Sequence, residues 1–198
     1  MKLRNLAELL YQALETELGG EQLYRAAIEN AVDADVKEEW TKYLEETRTH
    51  QEILKKVFAV AGLDPATESI GRRIVRSRGQ ALVAAIEVAR QADDPKLGEL
   101  VAAECIVEAE SKDHQNWTLL GLLAEHLDGA LRETIQGAFD EVSDQEAEHL
   151  FHSMGWAREL WLDFAGAPAV LPPPEEEKHV KTQIGAAQAG QPTASDRV

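Results

Sequence analysis

Glu146 and His149 stand three residues apart in the segment DQEAEHLFHSMGW, residues 144–156. Three residues is just under one helical turn. In a helix both side chains therefore leave on one side, where a carboxylate oxygen and an imidazole nitrogen can grip one metal ion. One such pair arises by chance in many helices, so its weight depends on partners elsewhere. The chain offers Glu17, Glu46 with His50, and Glu110. Four carboxylates meeting in one core would repel each other and would not stay ionised unaided. Two divalent cations remove that conflict, with the imidazoles completing the coordination. Oxygen and nitrogen donors without thiolates suit iron or manganese.

The elements that must position these groups follow from apolar periodicity. Leu3, Leu6, Leu10, Leu14, Tyr24 and Ile28 recur at helical spacing and predict a helix over 3–31, with Glu17 and Glu21 falling in the gap of its stripe. A second helix is expected from Asp33 or Asp35, either of which can cap it, to Ala61, where Gly62 and then Asp64-Pro65 supply a stop. Val36, Tyr43, Ile53, Val57 and Val60 mark its apolar face, and Glu46 and His50 share it.

A third long helix is expected over 96–126, with a stripe of Leu100, Ala103, Val107, Trp117, Leu120 and Ala124 that also carries Glu110 and His114. Glu104 and Glu108 are available there too. Glu110 is preferred because it precedes Trp117 by seven residues, as Glu17 precedes Tyr24 by seven. The fourth, from 129 or 130 to 165, has a stripe of Leu131, Ile135, Phe139, Val142, Trp156 and Leu160, interrupted by Glu146 and His149. A carboxylate on a core stripe costs several kcal/mol unless it is paired, so these interruptions ask for a partner.

Residues 63–95 read as a less regular connection that crosses the bundle. It contains the piece GRRIVRSRG and a short amphipathic helix, QALVAAIEVARQ. Arg72, Arg73, Arg76 and Arg78 are expected to be solvated or to pair with the protein's own acidic surface. From Gly166 onward the chain is Pro-, Gly- and Ala-rich and polar, without apolar periodicity, which predicts a disordered tail. The domain plan is thus one helical unit over 1–165 and a tail over 166–198.

The 198 residues carry a net charge of −16, 44% hydrophobic residues and one cysteine, Cys105. The acidic balance disfavours nucleic acid as a partner and favours cations. A lone cysteine excludes a disulfide framework, a cysteine zinc site and an iron–sulfur cluster within one chain, and Cys105 reads as a small core residue. No apolar run is long enough to span a membrane and the opening residues are too charged for a secretory signal, so the cytoplasm is the expected compartment.

Taken together, ETELGGEQLY (15–24), EETRTH (45–50) and EAEH (146–149) resemble the ferritin-like di-iron carboxylate superfamily, especially bacterioferritin and rubrerythrin, over residues 3–165. The resemblance implies an all-α, four-helix bundle with a long crossover between the second and third long helices. It also implies two iron ions, with manganese as the alternative. By that resemblance Glu46 and Glu146 would bridge the ions, Glu17 and Glu110 would each cap one, and His50 and His149 would bind one each. Glu21 and His114 are possible additional ligands. Tyr24 and Trp117 would lie just beyond the ligands, though packing alone accounts for Trp117.

One departure is plain. Glu46 and His50 are four residues apart where the family has three, and position 47 is threonine. The implied activity is oxidation of Fe(II) with O2 or peroxide, a ferroxidase or peroxide-consuming role in iron or oxidative-stress handling. The four-cysteine iron domain that rubrerythrins often carry is not expected here, so electrons would come from an external donor. A homodimer is the expected assembly, with a larger shell as the alternative. The competing expectations are a metal-free helical stress or interaction protein and a di-manganese, catalase-like protein.

Overall fold

The computed structural model describes residues 3–170, and the described residues form five helices and no strands. They are α1 (Leu3–Asn30), α2 (Ala34–Ala61), α3 (Ile70–Ala89), α4 (Pro95–Ala124) and α5 (Gly129–Phe164). None of them is long and apolar enough to cross a membrane. The tail expected from Gly166 lies, past Val170, outside the described residues.

The helix ends sit where local chemistry puts them. Asp33 caps α2, its carboxylate accepting from the amides of Asp35 and Val36 at 2.8 and 3.3 Å. Gly62 closes α2 in the left-handed region, φ 66°, which costs glycine little. Asp94 caps α4 and Pro95 takes its first turn, where a missing amide hydrogen does no harm. The buried Glu99 holds the α1–α2 turn against α4 by accepting from the amides of Val32 and Asp33 at 2.8 and 2.7 Å.

Residues 70–89 correct the expectation of an irregular piece followed by a short helix: GRRIVRSRG belongs to one continuous helix. The arginines explain it. Arg72 is buried and donates from Nε to Glu15 at 2.6 Å, and Arg76 reaches the same carboxylate at 2.6 Å, so α3 is tied along α1. The pairings Glu8 with Gly71, Glu15 with Arg76 and Glu29 with Arg90 advance together along both chains, so α3 runs parallel to α1. α3 packs on α1 and α4; α1 also meets α2 and α4, and α5 meets α2 and α4. The pairs Glu17–Trp117 and Tyr24–Glu110 run in opposite senses, which makes α1 and α4 antiparallel. The pairs His50–Gln145 and Glu39–Trp156 do the same for α2 and α5.

The apolar core falls into two parts. One contains Leu10, Leu14, Leu54, Phe58, Leu120 and Val142; the other contains Leu23, Ala27, Val36, Trp40, Ile106 and Cys105. Between them lies a stratum of buried ionisable side chains from α1, α2, α4 and α5.

Candidate metal centre

Two triads of buried side chains share one member. Glu17, His50 and Glu146 form the first, and Glu110, Glu146 and His149 form the second; within each, the donor atoms lie within 4.8 Å of one another. Glu146 belongs to both. His50 Nδ1 is 3.0 Å from Glu146 Oε1 and 3.4 Å from Glu17 Oε1, while His149 Nδ1 is 3.7 Å from Glu110 Oε2 and 3.8 Å from Glu146 Oε1. The two imidazoles stack at 5.7 Å between centroids.

Each of the two unshared carboxylates is braced by an aromatic donor from the opposite helix. Trp117 on α4 donates its indole N–H to Glu17 Oε1 at 2.8 Å, and Tyr24 on α1 donates its hydroxyl to Glu110 Oε1 at 2.7 Å. The two seven-residue echoes in the sequence are thus reciprocal hydrogen bonds between antiparallel helices. Trp117 does more than pack.

Both histidines are anchored through their outer nitrogen. His50 Nε2 meets Gln145 Oε1 at 2.8 Å and His149 Nε2 meets Glu46 Oε2 at 2.9 Å. Donating Nε2–H outward fixes the tautomer and leaves the Nδ1 lone pair of a neutral imidazole facing the carboxylates, the usual way a protein orients a metal-binding histidine.

Without a cation, protons offset the charge. Burial alone would lower the His50 imidazole, but the carboxylates of Glu146 and Glu17 outweigh it and raise the group to about 11. For His149 the same desolvation is reversed by Glu110 and Glu46, to about 10. Burial pushes Glu146 up to about 7, against the pull of His50 and with Glu17 and Glu110 adding to the rise. A divalent ion bound here would take the place of those protons.

The donor set fits such an ion on a direct observation. Glu17 Oε2, His50 Nδ1, Glu110 Oε2, Glu146 Oε2 and His149 Nδ1 are all buried and none makes a hydrogen bond. Buried polar atoms are nearly always satisfied, and five orphans on five side chains of one layer are what a missing shared partner leaves behind. The close approaches of His50 Nδ1 lack hydrogen-bond alignment, so proximity does not satisfy it.

Several expected ligands lie elsewhere. Glu46 belongs to neither triad: it is partly exposed at the edge of the layer, accepts from His149 Nε2, and stands 3.8 Å from Lys42. The position shared by the two triads is held by Glu146 and not by Glu46. Counting about 100° per residue, positions 46 and 47 fall on opposite sides of His50, roughly 40° and 60° from it, so packing rather than helical angle decides which of the two is buried. Thr47, three residues before His50, is the buried one. Glu21 is likewise outside both triads. Hydrogen bonds from Arg25 and Gln51 hold its carboxyl down to about 2, with Arg48 adding to them. His114 packs edge-on against Phe151 rather than entering a triad. Among the three helix glutamates, Glu110 is the one in the layer, while Glu104 accepts from the Trp161 indole and Glu108 is exposed.

Two residues escaped the sequence reading. Gln145 is the outer partner of His50, and nothing but its adjacency to Glu146 signals it. Asp113 is buried with Oδ1 unpartnered. Burial, and then the charges of Glu17, Glu146 and Glu110, push its carboxyl well above the usual range. Its spacing of three from Glu110 places it on that residue's side of α4 and was the available clue. No family model, curated protein or solved structure matches this chain.

Proposed function

We propose that α1, α2, α4 and α5 are a ferritin-like four-helix bundle with α3 as its long crossover, and that the protein holds two iron ions and oxidises Fe(II) with O2 or peroxide. The observation that carries this reading is the set of five inward, unpartnered donor atoms around Glu146. Glu17 and His50 would hold one ion, Glu110 and His149 the other, and Glu146 both. Bound iron supplies the one-electron redox couple and Lewis acidity that the side chains lack.

The chain's own groups do the positioning. Tyr24 and Trp117 fix the capping carboxylates, and Gln145 and Glu46 fix the two rings, so the donors are set before an ion arrives. The apolar layers on either side limit water and strengthen each interaction within the stratum. Fe(II) is the substrate, each ion giving up one electron and leaving as Fe(III) while O2 or peroxide takes up the electrons.

Anaerobic Fe(II) titration with metal analysis tests the reading, and about two Fe(II) per chain is expected. Admitting air should then give oxygen uptake that depends on Fe(II). Absence of bound metal and of Fe(II)-dependent uptake overturns it. A second reading, a metal-free helical interaction protein, is favoured by Thr47 in the buried place and Glu46 outside the triads. The same metal analysis separates the two, and distinguishes manganese from iron.

A further inference from the structure

A cavity of about 400 Å³ opens between α1, α3 and α4, on the side of α1 away from Glu17. Its walls are largely apolar, with Leu23, Val75, Leu82 and Ala109 among them. Two observations show that this is a built site rather than a packing gap.

The first is glycine. Gly19, Gly20 and Gly79 all line the cavity, in the interiors of α1 and α3, where each costs about 1 kcal/mol relative to alanine. Close packing does not demand Gly19, because a Cβ there would meet no atom within 4 Å. What its missing side chain provides is room.

The second is charge. Lys112 lines the cavity half-buried, and its ammonium donates to the neutral amide oxygen of Asn116. Asn116 in turn donates to Thr16 Oγ1 at 2.9 Å, a second polar wall residue. Among the described residues Lys112 forms no ion pair, on a chain with 36 acidic residues. Glu15 cannot serve, since Arg72 and Arg76 occupy both its oxygens, and Glu108 is exposed, as is Arg78.

We propose that this cavity binds a small amphiphilic monocarboxylate, its carboxylate paired with Lys112 and its apolar body against Leu23, Val75 and Leu82. One inner cation among apolar walls selects a single negative charge on a hydrophobic body. A polyphosphate would find too few donors. The volume is at the small end of ligand pockets, which sets the size of the guest.

Calorimetric titration of the full-length protein with sodium octanoate tests this, with 1-octanol as the uncharged probe of equal chain length. Octanoate should bind saturably at one site per chain, and octanol should bind roughly tenfold more weakly or worse. Lys112→Met should weaken octanoate by roughly tenfold or more and leave octanol unchanged. Gly19→Leu, filling the cavity, should abolish both, and Ala109→Leu does the same from α4 if the first variant fails to fold. Iron stoichiometry should be unaltered in Lys112→Met, which keeps this result separate from the metal reading. Unsaturable octanoate binding, equal affinities for the two probes, or octanoate affinity unmoved by Lys112→Met overturns the proposal.

Discussion

Glu15 and Glu17 lie two residues apart on α1, both buried, and have opposite fates. Glu15 faces α3, where the guanidinium groups of Arg72 and Arg76 engage both of its oxygens. Glu17 faces the interior, where Trp117 satisfies one oxygen and the other is left without a partner. Two positions turn about 200° around a helix, so one element serves both sides. The contrast teaches how to tell a buried carboxylate that the fold itself satisfies from one that it leaves open to the proposed metal. The fold supplies strong donors to the first and withholds them from the second, although the same chain has arginines to spend.

The comparison breaks most visibly at Glu146. Glu146→Ala should remove the shared carboxylate and take iron from about two per chain to about none, while the melting temperature of the metal-free protein holds or rises because one crowded carboxylate is gone. Unchanged iron stoichiometry in metal analysis would overturn the ligand assignment. Arg72→Met should do the reverse. Leaving Glu15 with one partner should cost about 3 kcal/mol in urea unfolding, with iron stoichiometry intact.

Glu46→Ala sharpens the boundary of the layer. As an outer partner of His149, its loss should weaken metal binding by about 10- to 100-fold and still permit full loading at excess metal; loss of both ions would mean that Glu46 is itself a ligand. The smallest effect is in acid. Although burial opposes it, Arg76 and Arg72 hold the Glu15 carboxyl below the ordinary carboxylate value of 4.5. Its contribution to stability is therefore complete above that unfolded value and is lost as pH falls through the lower folded one. Arg72→Met should flatten that limb of a stability-against-pH curve, measured below pH 5.

Much of this was legible in the sequence because helical periodicity is local. Asp33 and Gly62 marked ends that the structure keeps, and Glu17, His50, Glu110, Glu146 and His149 interrupted stripes that do face inward. The seven-residue match to Trp117 singled out Glu110 because both belong to one face of α4. What failed depended on contacts between distant segments or on small angles. The helix through GRRIVRSRG is held by Glu15, 57 and 61 residues away from its arginines, which no local pattern reveals. Glu46 and Thr47 differ by one residue, yet that step decides which of them is buried and which stays partly exposed. Asp113 went unseen because a carboxylate beside Lys112 reads as solvated until burial is known.

The placement of α3 has a consequence at long range. It bears four arginines and a single glutamate on a chain whose net charge is −16, and it covers the α1 and α4 flank. The potential around the molecule is therefore lopsided. A divalent cation of the kind we propose would meet a less negative potential along that flank than at α2 and α5, where Glu39, Glu46 and Glu148 stand near the edge of the buried layer. Steering of this kind raises capture rates by about 10- to 1,000-fold and fades with salt, since screening acts over about 8 Å at physiological ionic strength. Uptake of the proposed metal should therefore have a preferred direction, set by a helix that contributes no ligand.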